Sequence, residues 1–247
     1  MSAVCSYAHP VTACIIGATG GIGGALVRTL VDDPNVATVC AGSRQIGVET
    51  SKIRPFAIDL LDEASIAAAA QILQPLGPLN LIMVATGQLH DGTALQPEKS
   101  FRSQSNDAYA RAFAINATGP ALVAKHFLPL LPREGRSVFA VLSARVGSIS
   151  DNRLGGWHAY RASKAALNMI MRNLAIELAR THKDAIAVPL HPGTVATALS
   201  EPFQKNVAQE KLFPPEYSAA RLLSVINGLS AKDSGAFFAW DGERIAF

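Results

Sequence analysis

Tyr160 and Lys164 stand four residues apart in Tyr160-Arg161-Ala162-Ser163-Lys164, with no helix breaker between them. On a helix, that spacing puts both side chains on one face about a turn apart. Such a pair can do acid–base chemistry. A phenol normally ionises near pH 10, and an ammonium one turn away favours the phenolate. Bringing the phenol to about 7 takes roughly three pKa units, or about 4 kcal/mol. An ammonium and a second cation could supply that in a partly desolvated cleft. On spacing alone, a packed tyrosine beside a solvated lysine is the simpler reading, so the surrounding elements must decide.

The first of these elements is a strand, a glycine-rich turn and a helix. Val11–Ile16 is a continuous apolar run, as expected of a strand buried on both faces. Gly17-Ala18-Thr19-Gly20-Gly21-Ile22-Gly23 follows at once, and helical composition resumes at Ala25–Val31. Glycines there let a backbone approach a pyrophosphate, and a helix N-terminus offers free N–H groups. The spacing is G-x-x-x-G-x-G on Gly17, Gly21 and Gly23, not the G-x-G-x-x-G of the common dinucleotide fingerprint. A tight turn without a ligand is the alternative. The second strand, Val36–Ala41, runs into Gly42-Ser43-Arg44. An acidic residue after this strand selects NAD, whereas an arginine suits a 2′-phosphate. No carboxylate follows here, so Ser43 and Arg44 point to NADP over NAD. Arg54–Ile58 reads as a third strand ending at Asp59-Leu60, where Asp59 could accept from an adenine amino group. A helix then opens at Asp62 or Glu63 and runs to about Leu73.

Further along, Leu79–Val84 is a fourth strand closing on Ala85-Thr86-Gly87, small residues against which a ligand could lie. One long helical segment is expected from about Ser103 to Leu131. Asn116, Gly119 and Pro120 are poor choices inside it and call for a kink or a bound water. Ser137–Leu142 is the fifth strand and delivers Ser143 at its end, where ligand contacts gather in open α/β sheets. A loop from Ala144 to Gly156 leads into the helix of Tyr160. Ala185–Leu190 and Phe237–Trp240 read as the sixth and seventh strands, with a helix from Pro214 to about Gly228 between them.

Composition narrows the class. The 247 residues are 49% hydrophobic and 17% charged, which supplies a large core in one domain spanning 1–247. The net charge of +3 is not clustered, so nothing argues for nucleic acid. No apolar run approaches the roughly 18 residues that span a bilayer, and the start lacks the pattern of a signal peptide. Cys14 and Cys40, each inside an apolar run, read as buried thiols in a reducing compartment, hence a cytoplasmic protein. No metal site is expected.

Taken together, Gly17-x3-Gly21-x-Gly23, Asn116, Ser143, Tyr160-x3-Lys164 and His191-Pro192-Gly193-Thr194-Val195-Ala196-Thr197 resemble the short-chain dehydrogenase/reductase family over essentially its whole length. Ser148–Arg153 and the ending Gly235–Gly242 look like the C-factor and sniffer-type carbonyl reductase branch. The resemblance implies a single Rossmann-type domain, a doubly wound parallel sheet of about seven strands with helices on both faces. It implies reduction of an aldehyde or ketone with NADPH, or the reverse. In that role Tyr160 is the acid/base, Lys164 lowers its pKa and binds the nicotinamide ribose, Asn116 holds a relay water, and Ser143 polarises the carbonyl. Pro192, Gly193, Val195 and Thr197 would lie beside the nicotinamide, and Ser200–Leu212 resembles the substrate lid. A homodimer or homotetramer is also implied. Two departures stand out. Val84-Ala85-Thr86-Gly87 replaces Asn-Asn-Ala-Gly, and in Ser143-Ala144-Arg145-Val146-Gly147 the second serine of the family pattern falls on Ala144. Ser143 from one residue earlier, Ser148 in its place, and weak polarisation remain the alternatives. A non-catalytic, NADP-binding regulator on the same fold is the rival reading.

Overall fold

A computed structural model describes residues 4, 6–7, 10–92, 96–206 and 208–247; much of the opening stretch read for a signal peptide lies outside it. Among the described residues, eight strands form the central sheet in the order β10-β9-β6-β5-β4-β1-β2-β3. They are β1 (Val11–Ile16), β2 (Val36–Ser43), β3 (Ile53–Ala57), β4 (Leu81–Val84), β5 (Ser137–Leu142), β6 (Ala185–His191), β9 (Phe237–Ala239) and β10 (Arg244–Ile245). All neighbours pair in parallel except β10, which runs antiparallel on β9. The seven expected strands are present. The two-residue β10 is an addition, too short to leave a period in the sequence.

The apolar strands are continuous because each feeds two cores. Cys14 and Ile16 of β1 point into the cluster under α2 (Glu63–Leu73), α4 (Gly119–Phe127) and α5 (His158–Leu178). Ala13 and Ile15 point the other way, towards α1 (Gly21–Val31) and α6 (Pro215–Gly228). The thiols of Cys14 and Cys40 are buried opposite each other across β1 and β2, as their apolar surroundings suggest.

The long helical segment expected over 103–131 runs without a break over 106–130, and a π turn at Asn116 interrupts its regular bonding. A 3₁₀ turn at Phe101–Ser103 precedes α3 (Asn106–Phe113), a π turn spans Ala114–Thr118, and α4 follows before a second 3₁₀ turn at Leu128–Leu130. Pro120 sits in the first turn of α4, where its missing N–H costs little. The π turn holds Asn116, fully buried. A separate two-stranded pair, β7 (Thr194–Val195) with β8 (Leu212–Phe213), ties the segment after β6 to the entry of α6.

Chain order reverses between β1 and β4: β2 and β3 extend the sheet on one side, and β4, β5 and β6 on the other. In open α/β sheets the crevice at such a switch point is where ligands bind.

Candidate active site

A groove of about 530 Å³ opens at this switch point, a size typical of small-molecule and cofactor pockets. Its floor comes from the turn after β1 (Gly17, Thr19, Gly20) and the turn after β4 (Ala85, Thr86, Gly87). Ser43, Arg44, Asp59 and Leu60 line the end beyond β2 and β3. Gly20 caps α1 with no side-chain hydrogen bond, so the first-turn N–H groups stay available. The turn tolerates only glycine at one point: a Cβ on Gly23 would sit 2.1 Å from the Gly17 carbonyl oxygen. Among the described residues, three buried polar atoms around the groove have no hydrogen-bond partner: Thr86 Oγ1, Gln88 Oε1 and His90 Nδ1. A buried polar atom without a partner costs roughly 1–3 kcal/mol, so these atoms suit a polar ligand.

Other expected cofactor residues sit behind or beside the groove. Thr197 packs on the glycine turn, since a Cβ on Gly21 would come within 2.6 Å of Thr197 Cγ2. Ile22 packs against the α1–α6 core. The Pro192 carbonyl accepts from Ser218 Oγ, Gly193 lies against Phe213 and Trp240, and the Val195 carbonyl accepts from Ser200 Oγ. The groove wall on this side is instead Ala198 and Leu199, which the sequence motif did not single out. Arg44 is exposed and makes no ion pair among the described residues. Ser43 donates to the Gln45 carbonyl, and one Asp59 carboxylate oxygen accepts from Leu61 N at 3.0 Å.

Helix α5 carries Tyr160 and Lys164, neither of which lines the groove itself. Both are buried, with the Lys164 ammonium nitrogen 5.9 Å from the Tyr160 ring centre. Lys164 Nζ donates to the Leu142 carbonyl at the end of β5, 2.8 Å away. The turn Arg145–Gly147 can press on α5 here because residue 147 is glycine; a Cβ there would be 2.7 Å from Lys164 Cβ. A Cβ on Gly87 would lie 3.5 Å from Lys164 Nζ and 3.6 Å from Asn116 Oδ1, so the lysine and the asparagine meet the groove at its floor.

In the chain alone, burial dominates the electrostatics of the pair. Burial pushes the Tyr160 phenol above its usual range and pulls the Lys164 ammonium down to about 7. An apolar site favours the neutral form of each, and in the chain alone that outweighs their mutual attraction. For Lys164 the sign is plain. Below about pH 7 the folded chain holds a buried cation and bears the full penalty. Above pH 7 the folded lysine deprotonates while the unfolded one stays charged to its ordinary range, so the penalty fades as pH rises. Lys164→Met is therefore expected to raise the melting temperature of the cofactor-free protein by about 5 °C near pH 6. That gain should shrink by more than half by about pH 9. Thermal unfolding at the two pH values checks this, and an equal gain at both would refute it.

Asn116 is held on three sides. Its Oδ1 accepts from Gln88 N at 2.8 Å, and its Nδ2 donates to the Gln88 carbonyl and to Ser163 Oγ at 2.9 and 3.1 Å. Both amide hydrogens are committed, which leaves only acceptor oxygens for a relay water. The π turn is what presents the amide to a loop 28 residues earlier, so the composition that looked unfit for a helix interior reflects this contact.

Both serine hydroxyls have hydrogen-bond partners within the protein. Ser143 Oγ donates to Asn168 Oδ1 on α5 at 2.7 Å, and Ser148 Oγ donates to the Ala246 carbonyl. Ala144, half-buried and extended, stands between them. Sequence reasoning also missed Glu98. Its buried carboxylate accepts from Ala159 N at the N-terminus of α5, and no local pattern connects residues 61 positions apart.

Comparison with known proteins identifies the family and the fold. The family profile described as short chain dehydrogenase matches residues 11–208. The 1-hydroxy-2-glutathionyl-2-methyl-3-butene dehydrogenase of Rhodococcus sp. (strain AD45) is 31% identical over 235 residues, 94% of this chain and 97% of its own. The C-signal of Myxococcus xanthus is 38% identical over 136 residues, 55% of this chain and 76% of its own. The NADPH-bound carbonyl reductase from chicken fatty liver superposes with a TM-score of 0.83 at 24% identity, covering 98% of this chain and 97% of its own. The carbonyl reductase Sniffer of D. melanogaster gives 0.83 at 23%, covering 97% and 100%. The fold and site therefore define a Rossmann-type oxidoreductase. The chain belongs to the short-chain dehydrogenase family.

Proposed function

We propose that the protein reduces an aldehyde or ketone to an alcohol with NADPH, or runs the reverse oxidation. The observation that carries this reading is Tyr160 and Lys164, buried side by side on α5, with the Lys164 ammonium reaching a cofactor-sized groove at Gly87. The carbonyl reductase from chicken fatty liver, similar in fold, is described as NADPH-bound, which supports the same cofactor here. The glycine turn and the N-terminus of α1 would hold the pyrophosphate. Bound NADPH supplies a hydride. Tyr160 donates its phenolic proton to the carbonyl oxygen as the carbon is reduced, so the alcohol forms with charge balanced. Lys164, whose ammonium lies beside Gly87, would hold the nicotinamide ribose and, once its charge is stabilised, would bias Tyr160 towards proton loss. Asn116 fixes the loop after β4 against α5. With Ser143 and Ser148 committed elsewhere, Tyr160 is the principal donor to the carbonyl oxygen.

Arg44 supports NADP over NAD, being an unpaired guanidinium at the groove end where no carboxylate follows β2. Arg44→Ala is expected to weaken NADPH binding about tenfold or more, roughly 1.4 kcal/mol, and to leave NADH binding little changed. Titrations of both dinucleotides test this, and equal losses would overturn the assignment.

The second reading, a non-catalytic NADP-binding regulator, draws on two departures from the family pattern: the second serine falls on Ala144, and Val84-Ala85-Thr86-Gly87 stands for Asn-Asn-Ala-Gly. Following NADPH absorbance across a panel of aldehydes and ketones separates the two. Turnover on any carbonyl supports the reductase; tight NADPH binding with none supports the regulator. Among the described residues no helix is long and apolar enough to cross a membrane, and a cytoplasmic location fits the buried thiols. Met169 and Ile176, exposed two turns apart on α5, support pairing of chains as a dimer or tetramer.

A further inference from the structure

The chain enters α5 through a left-handed turn. Gly155, Gly156 and Trp157 have φ of 62°, 67° and 50° in succession. Glycine takes up that conformation at little cost, whereas a bulky side chain does so only where its surroundings enforce it. Trp157 is the one non-glycine residue with positive φ among those described. It stands at the N-cap of α5 and offers the helix no side-chain cap. Tyr160 follows in the first turn of the same helix. Whatever holds the left-handed turn therefore sets where the phenol ring points.

Glu98 holds it, from the loop after β4. Its carbonyl accepts from Trp157 N at 2.6 Å, and both its carboxylate oxygens accept from Ala159 N at 3.3 Å. Glu98 is only 5% exposed and makes no ion pair among the described residues. A buried carboxylate without a cation is costly, and the partial positive charge of a helix N-terminus offsets part of that cost. Two other contacts support the turn: Arg161 Nε donates to the Gly156 carbonyl at 3.0 Å, and Ala159 packs with Ala108 and Ala112 of α3. Neither of them satisfies the N–H groups of Trp157 and Ala159. The Trp157 ring meets Tyr160 edge-on with 6.3 Å between ring centres, and lies 5.0 Å from Phe203. A shift in the Trp157 backbone is thus passed to the ring beside the phenol.

We propose that Glu98 is a positioning residue for the proton donor. By accepting from Trp157 N and Ala159 N it clamps the left-handed turn, and through it holds the Tyr160 ring in the orientation proton transfer needs. The proposal rests on the carbonyl-reducing reading for its chemistry, but the clamp itself can be read without turnover.

In the full chain, Glu98→Ala is expected to lower kcat about thirtyfold, since a slightly misplaced catalytic group costs up to about a hundredfold. KM for the carbonyl and affinity for NADPH should change by less than about twofold, because Glu98 does not line the groove. Glu98→Gln keeps an acceptor oxygen for Ala159 N and should restore kcat to within about fivefold of the unmodified enzyme. Glu98→Asp keeps the charge but draws the carboxylate back from Ala159 N, so it should resemble the alanine variant and serves where that variant does not fold. Near-UV circular dichroism gives the independent measurement. Trp157 is one of two tryptophans, and its band is identified by its loss in Trp157→Phe. Glu98→Ala should remove most of that band, and Glu98→Gln should keep it. Full kcat in Glu98→Ala, an equal loss in Glu98→Gln, or an unchanged Trp157 band would each overturn the proposal. A loss of NADPH affinity as large as the loss of kcat would also overturn it, by making Glu98 a general structural residue. A band lost in Glu98→Ala and kept in Glu98→Gln, with no carbonyl turned over by the unmodified chain, would uphold the clamp and count against the reductase.

Discussion

Replacing Tyr160 by phenylalanine is expected to lower turnover by about a thousandfold or more while changing NADPH affinity only a few-fold. General acid catalysis by a positioned group contributes about 10²–10⁴ in rate. Here Ser143 and Ser148 are hydrogen-bonded to Asn168 and to the Ala246 carbonyl, which leaves Tyr160 the main donor. The phenol is buried and close to Lys164, and phenylalanine keeps the ring that packs against Trp157. The fold and the groove should therefore survive the loss of one hydroxyl. Steady-state rates on a competent carbonyl and a fluorescence titration with NADPH measure the two quantities. Wild-type turnover in the variant would remove Tyr160 from the mechanism. A parallel loss of NADPH binding would make it a structural residue.

Ala144→Ser should act in the opposite direction and raise kcat by about tenfold to a hundredfold. A single oriented donor to a developing oxyanion is worth about 10²–10³ in kcat where the rest of a site is built around it. Ala144 has an extended backbone and is half-buried between the end of β5 and the turn that presses on Lys164. A serine there adds one atom and needs no backbone change. Restoring the family's hydroxyl at this position tests whether the chain is a reductase with a weakened polarising group. No gain, with NADPH binding unchanged, would mean the substrate carbonyl lies elsewhere in the cleft. A serine added at Ser143's own level could not do the same, since that side chain faces α5 and Asn168.

Much of this protein was legible from local pattern. β1 and β5 appear at their predicted bounds because a strand buried on both faces needs an unbroken apolar run, and that requirement is written into six consecutive residues. The glycine turn was legible because backbone approach forbids a Cβ at Gly23 whatever else surrounds it. The pairing of Tyr160 with Lys164 was legible because helical periodicity alone puts them on one face. Asn116 was visible as an anomaly, although its cause was not: the π turn exists to satisfy Gln88 and Ser163, neither of them near it in sequence.

What local pattern could not supply was direction and charge. Whether Ser143 faces substrate or Asn168 depends on which side of β5 packs on α5, and burial of the Tyr160–Lys164 pair sets their ionisation against simple attraction. Glu98 at the head of α5, Phe203 against Trp157 and the β10 edge are likewise products of distant segments meeting. The amino-acid order determined the elements, the glycine turn and the placing of Tyr160 and Lys164 on one helix face, because each is specified within one or two turns of chain. Tertiary structure alone decided which side chains face the cleft and which protonation states burial favours, because desolvation and hydrogen-bond partners are properties of the packed surroundings.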